Sequence, residues 1–203
     1  MRKQKGYFDL YPFCTRSKPI LLITCGLVGT GKTTLARALA KRLGLVIIDS
    51  DATRKQLAGI TLTEHRFEKF GAGIYSPAFT RKTYEKMFND AEEILSTGVS
   101  VILDASFSKA EERLRAKELA REAGADFAVI ECNLNEKIIK KRLASRDEQP
   151  SISDARQALL EPQKESFEPA VEIPDDEHIV VDTSRPVGGL IEEIKSAFLL
   201  SDR

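Results

Sequence analysis

Five short apolar runs, at 20–25, 45–48, 99–103, 127–132 and 178–181, punctuate the chain and alternate with longer stretches in which apolar side chains return every three or four positions. The short runs predict strands and the longer periodicity predicts helices. Their alternation predicts a parallel sheet with helices packed on both faces, an α/β fold. The strand segments are apolar throughout rather than at alternate positions, as strands covered on both sides require. Helix ends are also marked. A helix over 32–43 opens after a glycine-rich turn and stops at Gly44, and a short one is expected over 52–58. Ser76 and Pro77 give an N-cap and a first-turn proline for a helix running to Thr97 and closed by Gly98. Ser108-Lys-Ala-Glu111 reads as a capping box for a helix ending at Gly124. Asn135 caps another that runs to about Arg146, and 189–200 forms the last.

Two stretches break the rhythm. Residues 59–75 lie between the second strand and the Ser76 helix, and residues 146–176 carry Pro150, Pro162, Pro169 and Pro174 around one short helix starting near Ser153. Irregular stretches of that length in a small domain point to function or mobility.

A chain of 203 residues accommodates one domain, 19–203, preceded by an extension, 1–18. Hydrophobic residues at 42% with charged residues at 31% exclude a mainly disordered or collagen-like chain. Lys+Arg 31 against Asp+Glu 31 leaves no net charge, which gives no electrostatic reason for nonspecific nucleic-acid or membrane binding. No apolar run approaches the roughly 18 residues of a membrane span. Cys14, Cys25 and Cys132 are scattered and odd in number, which argues for reduced thiols and a cytoplasmic setting. His65 and His178 lack ligand-spaced partners, and the alternating charges from Lys109 to Glu122 read as a solvated helix face.

The decisive string is Gly26-Leu-Val-Gly-Thr-Gly31-Lys32-Thr33, G-x-x-x-x-G-K-[ST], set between a strand and a helix. Backbone N–H groups can surround a polyphosphate only where no Cβ intrudes, and Gly26, Gly29 and Gly31 allow that approach. The N–H groups of Thr30, Thr33 and Thr34 extend the cradle at the helix start, where the dipole favours anions. Lys32 is expected to reach the β- and γ-phosphates, and Thr33 to give its hydroxyl to Mg²⁺. Asp104 ends an apolar strand and is the second expected Mg²⁺ ligand. Asp51, just beyond the second strand, is the expected general base in preference to Asp49, because Arg54 places a cation one helical turn on. The alternative reading of this segment is a helix cap from Ser50 or Asp51. Arg142 and Arg146 share a helix face before the irregular stretch and are expected to meet the nucleotide from a lid at about 140–152. No N-K-x-D string for guanine is present, so ATP is the expected nucleotide.

Leu21–Arg37 as a P-loop strand and helix, Ser50-Asp-Ala-Thr-Arg-Lys-Gln-Leu57, Gly98-Val-Ser-Val-Ile-Leu-Asp-Ala-Ser-Phe107, and Ser153-Asp-Ala-Arg with Glu161-Pro-Gln follow one another in this order. In this order the chain resembles the P-loop kinases grouped with polynucleotide kinase, gluconate kinase and zeta toxins. It is most similar there to bacterial kinases found alone or fused to an aminoglycoside-phosphotransferase-like domain. The resemblance implies an adenylate-kinase-like, five-stranded parallel sheet of order 2-3-1-4-5. It also implies Asp51 as base, Arg54 on the acceptor, Arg142 and Arg146 as lid arginines, and adenine between the lid and Asp182-Thr-Ser-Arg185.

These readings converge on an ATP- and Mg²⁺-dependent phosphotransferase with a small-molecule hydroxyl acceptor built from the region 54–80. Two alternatives stand beside it. A polynucleotide 5′-hydroxyl kinase calls for a basic channel, and a non-enzymatic ATP-binding regulatory module calls for ATP turnover indifferent to any acceptor.

Overall fold

In the computed structural model the described residues are 18–61, 71–146 and 157–198. The run Ile20–Cys25 forms β1, and all its residues are buried because it lies at the centre of a five-stranded sheet. The other strands are β2 (Val46–Asp49), β3 (Val101–Asp104), β4 (Asp126–Asn133) and β5 (His178–Asp182). Their order is β2-β3-β1-β4-β5 and every pairing is parallel, as expected. The expectation of burial on both faces holds for β1 and β3 and fails at the edges. Val46 on β2 and Val180 on β5 are 38% and 53% exposed, because an edge strand is only partly covered by helices.

Among the described residues the helices between strands are α1 (Lys32–Leu43), α2 (Ser50–Leu57), α3 (Pro77–Ser96), α4 (Ala110–Glu122), α5 (Glu136–Arg146) and α6 (Leu160–Ser166), and α7 (Val187–Phe198) follows β5. Alternate residues of β1 serve the two faces. Leu21, Ile23 and Cys25 pack with Met87 and Phe88 of α3 and Leu119 of α4, whereas Ile20 and Leu22 pack with Leu35 and Leu39 of α1 and Ile194 of α7. This period-two division of one continuous apolar run is what joins both helix layers to a single sheet. It leaves the carboxyl ends of the strands open for the loops that carry chemistry.

The starts of α2, α4 and α7 differ from expectation, α2 opening at Ser50, two residues early. The box at the start of α4 is shifted by one residue: Glu112 accepts from the Lys109 N–H at 3.3 Å, and Glu168 accepts from the Ala110 N–H at 2.8 Å. The cap therefore comes largely from a residue distant in sequence. Helix α7 begins two residues earlier than expected, because the Pro186 carbonyl already accepts from Gly189 and Leu190. The helix start expected near Ser153 lies outside the described residues; within the same stretch a 3₁₀ turn at Gln157–Leu159 leads into α6.

The alternating charges of α4 are not all solvated. Arg113 is fully buried and forms an ion pair with Glu172; its guanidinium also donates to the Phe107 carbonyl at 2.8 Å and to that of Pro169 at 3.1 Å. One charged side chain thus straps the segment after α6 to the loop after β3. Among the described residues no helix is long and apolar enough to cross a membrane.

Candidate active site

At the end of β1 the chain turns through three glycines with positive φ, 129° at Gly26, 78° at Gly29 and 93° at Gly31. A Cβ on Gly26 would lie 2.5 Å from the Cys132 carbonyl oxygen, so the backbone of β4 itself demands glycine there. One on Gly29 would meet Ile139 of α5 at 3.0 Å, and one on Gly31 would meet Arg142 at 3.3 Å. The glycines thus admit close protein neighbours as well as the phosphate approach expected from sequence. The turn is pinned on several sides. Gly26 N–H donates to the Ser106 carbonyl, the Thr30 hydroxyl to the Leu27 carbonyl at 2.8 Å, and the Thr183 hydroxyl to the Thr30 carbonyl.

Lys32 folds back so that Nζ donates to the Leu27 carbonyl at 2.8 Å. Burial holds its amine below the ordinary lysine value, against the opposing pull of Asp104 and, more weakly, Asp51. Asp104 is buried at the tip of β3, where the Thr24 hydroxyl donates to its Oδ1 at 3.3 Å. Burial raises its carboxyl, while contact with the Thr33 hydroxyl and the charge of Lys32 lower it. Its Oδ2 is buried with no hydrogen-bond partner among the described residues. A carboxylate oxygen left in that state beside a threonine hydroxyl matches the donor set of a hydrated Mg²⁺. The structure therefore brings Lys32, Thr33, Asp51 and Asp104 to one end of the sheet.

The cap of α2 is neither Ser50 nor Asp51 but Asp49, which accepts from the Ala52 N–H at 2.8 Å. Asp51 occupies the first turn of α2. Arg54 is tied to neighbouring protein groups. It is 7% exposed and donates to the Ile74 carbonyl at 2.6 Å and the Thr80 hydroxyl at 3.2 Å, with its guanidinium 4.8 Å from the centre of the Tyr75 ring. It thereby holds the 3₁₀ turn Gly73–Tyr75 against the start of α3, and its buried Nε has no partner among the described residues.

Arg142 lies over Gly31 and donates to the Thr183 carbonyl at 3.4 Å. With Thr34, Val187 and Leu190 it lines a cavity of about 270 Å³ between α1, α5, α7 and the loop after β5. The side chain of Arg146, the lid residues 147–152, the extension 1–17 with Cys14, and the acceptor residues 62–70 with His65 lie outside the described residues. His178 pairs with Glu131 at 3.0 Å. Cys25 and Cys132 are free buried thiols, which burial pushes up to about 12.

Two residues at the site had no assigned part in the sequence reading. Gln163 of α6 accepts from the Val28 N–H at 2.5 Å, and Phe107 adopts φ 41° directly after the Asp104 loop. The Phe107 backbone is held by the Tyr84 hydroxyl on its N–H at 3.1 Å and by Arg113 on its carbonyl. Neither arrangement has a local signal, since each depends on a partner far away in the chain.

A family model described as an AAA domain matches residues 21–170. An uncharacterized protein of Mycobacterium tuberculosis is 29% identical over 126 residues, covering 62% of this chain and 25% of that protein. The chain thus spans about a quarter of the length of the first curated relatives it matches. A shikimate kinase of Paramagnetospirillum magneticum is 28% identical over 140 residues, covering 68% of this chain and 65% of that enzyme. Among solved structures, a gluconokinase from Sinorhizobium meliloti superposes with a TM-score of 0.61 at 20% identity, covering 90% of this chain and 93% of that one. The shared fold is that of P-loop kinases.

Proposed function

The chain belongs to the AAA domain family, and from that membership we propose that it is an ATP-dependent phosphotransferase acting on a hydroxyl of a small-molecule acceptor. The observation that carries this reading is the convergence of Lys32, Asp51 and the Thr33–Asp104 pair around a glycine turn at the carboxyl end of the sheet. Similarity to a shikimate kinase supports a small acceptor. The match to part of a longer mycobacterial protein fits a kinase domain that occurs alone and in fusions, as in the group named from sequence. The free buried thiols agree with a cytoplasmic setting.

In this reading the N–H groups of Gly29, Thr30, Gly31, Thr33 and Thr34 take the phosphate oxygens, and Val187 and Leu190 offer an apolar face to the base. Thr33 and Asp104 would hold Mg²⁺, which would supply charge neutralisation on the polyphosphate. Lys32 and Arg142 stand where negative charge grows on the transferring group, with Arg146 as the second lid arginine. The Asp51 carboxylate accepts the proton of the attacking hydroxyl. Arg54 keeps the acceptor-side wall at Ile74 and Thr80 in place.

Transfer of label from γ-labelled ATP across sugars, cyclic alcohols, nucleosides, aminoglycosides and 5′-hydroxyl oligonucleotides tests this, with Lys32→Ala as the blank. Label is expected on one small hydroxyl compound and absent from oligonucleotides. Label on oligonucleotides alone, or equal transfer by the Lys32→Ala protein, contradicts it.

A further inference from the structure

One peptide of the phosphate turn is held from both sides. The Leu27 carbonyl accepts from Lys32 Nζ at 2.8 Å, and the N–H of the same peptide, that of Val28, donates to Gln163 Oε1 at 2.5 Å. A trans peptide is planar, with its C=O and N–H pointing in opposite directions, so fixing one group fixes the other. Gln163 lies on α6, whose Leu160 joins Leu134, Ile139 and Leu143 in the cluster against which Leu27 and Val28 pack. Apolar packing thus sets the depth of α6 on the turn, and the Gln163 amide on the Val28 N–H joins the Thr30 hydroxyl and N–H on the Leu27 carbonyl in fixing the peptide's orientation. Among the described residues Gln163 Nε2 makes no hydrogen bond, so the side chain serves here as an acceptor.

We infer that Gln163 is a positioning residue for Lys32, acting through the Leu27–Val28 peptide. The inference rests on the phosphotransfer reading above, in which the place of the Lys32 charge governs turnover. The Leu27 carbonyl is the acceptor that holds the Lys32 ammonium in direction. If the peptide swings, that acceptor turns away and an N–H dipole turns toward the ammonium. A cation helps phosphoryl transfer according to where it stands when charge develops, so misplacement acts on the rate more than on ground-state binding. The backbone N–H groups that hold a diphosphate are left as they were.

The test uses the full chain as wild type, Gln163→Leu and Gln163→Glu. Three quantities are measured: exchange of the Val28 amide hydrogen by NMR, affinity for ADP with magnesium by calorimetry, and the single-turnover rate of γ-phosphate loss from ATP. Gln163→Leu is expected to speed Val28 exchange and to slow phosphate loss about tenfold or more, with ADP affinity changed by no more than about threefold. Its thermal midpoint should stay close to that of the wild type. Gln163→Glu keeps an acceptor and should restore both Val28 protection and most of the rate. An unchanged rate in Gln163→Leu overturns the role. So does a rate loss matched by equal losses in ADP affinity and thermal midpoint, or a Gln163→Glu protein no better than Gln163→Leu. A wild type that neither binds nor cleaves ATP overturns the phosphotransfer reading itself, whereas an active wild type with an indifferent Gln163→Leu overturns this role alone.

Discussion

Lys32 and Asp104 lie in each other's field at the floor of the phosphate site, and burial acts on them in opposite senses, lowering the amine and raising the carboxyl. Each charge offsets part of what burial does to the other. The net shift of Asp104 is upward, so its ionised form is disfavoured in the folded chain, and its Oδ2 is left without a partner. Asp104→Asn is therefore expected to raise the thermal midpoint of the nucleotide-free protein at neutral pH by about 2–4 °C, as about 1 kcal/mol does in a domain of this size. The sign follows from linkage. A carboxyl raised above its unfolded value of 3.8 contributes stability below that value and loses it as the pH rises through the folded one. The advantage of Asp104→Asn should accordingly open as the pH is raised through that interval. Circular dichroism melts at a series of pH values check this, and a variant less stable at neutral pH contradicts it. The same change should lower magnesium-dependent turnover by about 10²-fold or more.

Asp51 stands in the first turn of α2, whose cap is Asp49. Asp51→Asn is expected to lower turnover about 10²–10⁴-fold, the span of general-base contributions, while ADP affinity changes by no more than about threefold. Calorimetry beside steady-state rates separates the two. Collapse of nucleotide affinity with normal turnover of the bound complex would show that Asp51 has another role.

Gly26 has no room for a methyl group, since a Cβ there would meet the Cys132 carbonyl at 2.5 Å on a backbone with φ 129°. Neither obstacle is a flexible side chain that could move aside. Gly26→Ala should cost about 2–4 kcal/mol of stability, readable in a urea transition, with nucleotide binding weakened as the turn is displaced. Full stability would mean that the turn is looser than its packing indicates.

Arg113 is buried and Glu172 is its counter-charge. Burial alone would raise the Glu172 carboxyl, but the hydrogen bond and charge of Arg113 outweigh it and hold the value below 4.5. Glu172→Ala should cost about 3 kcal/mol at neutral pH, because it leaves a guanidinium buried without its partner. A carboxyl depressed in this way contributes stability above its unfolded value and loses it as the pH falls through the folded one. The difference between wild type and variant, followed by urea melts, should therefore close in acid. A constant gap at all pH values contradicts the pairing.

The extent to which the sequence foretold this arrangement depends on how local each signal is. β1, the glycine turn and α1 were bounded to the residue because the apolar run, the glycines and Gly44 are all neighbours in sequence. The sheet order followed from the resemblance carried by the P-loop, Asp51-x-x-Arg54 and the Asp104 loop. What escaped was set by distant partners. The α4 start is fixed by Glu168, the burial of Arg113 by Glu172, and the part played by Gln163 by a main-chain N–H on the other side of the site. The hold of Arg54 on Ile74 and Thr80 is likewise a contact that no charge pattern along the chain encodes.

In the proposed function the turn from Gly26 to Thr33 holds a nucleoside polyphosphate, with Lys32 on its terminal phosphates. The most direct measurement of this is a calorimetric titration of a non-hydrolysable ATP analogue, with magnesium, into the wild type and Lys32→Ala. The wild type is expected to give saturable heat with one site per chain, and the variant an affinity at least about tenfold weaker. No heat from the wild type, or equal affinity in the two proteins, would contradict it.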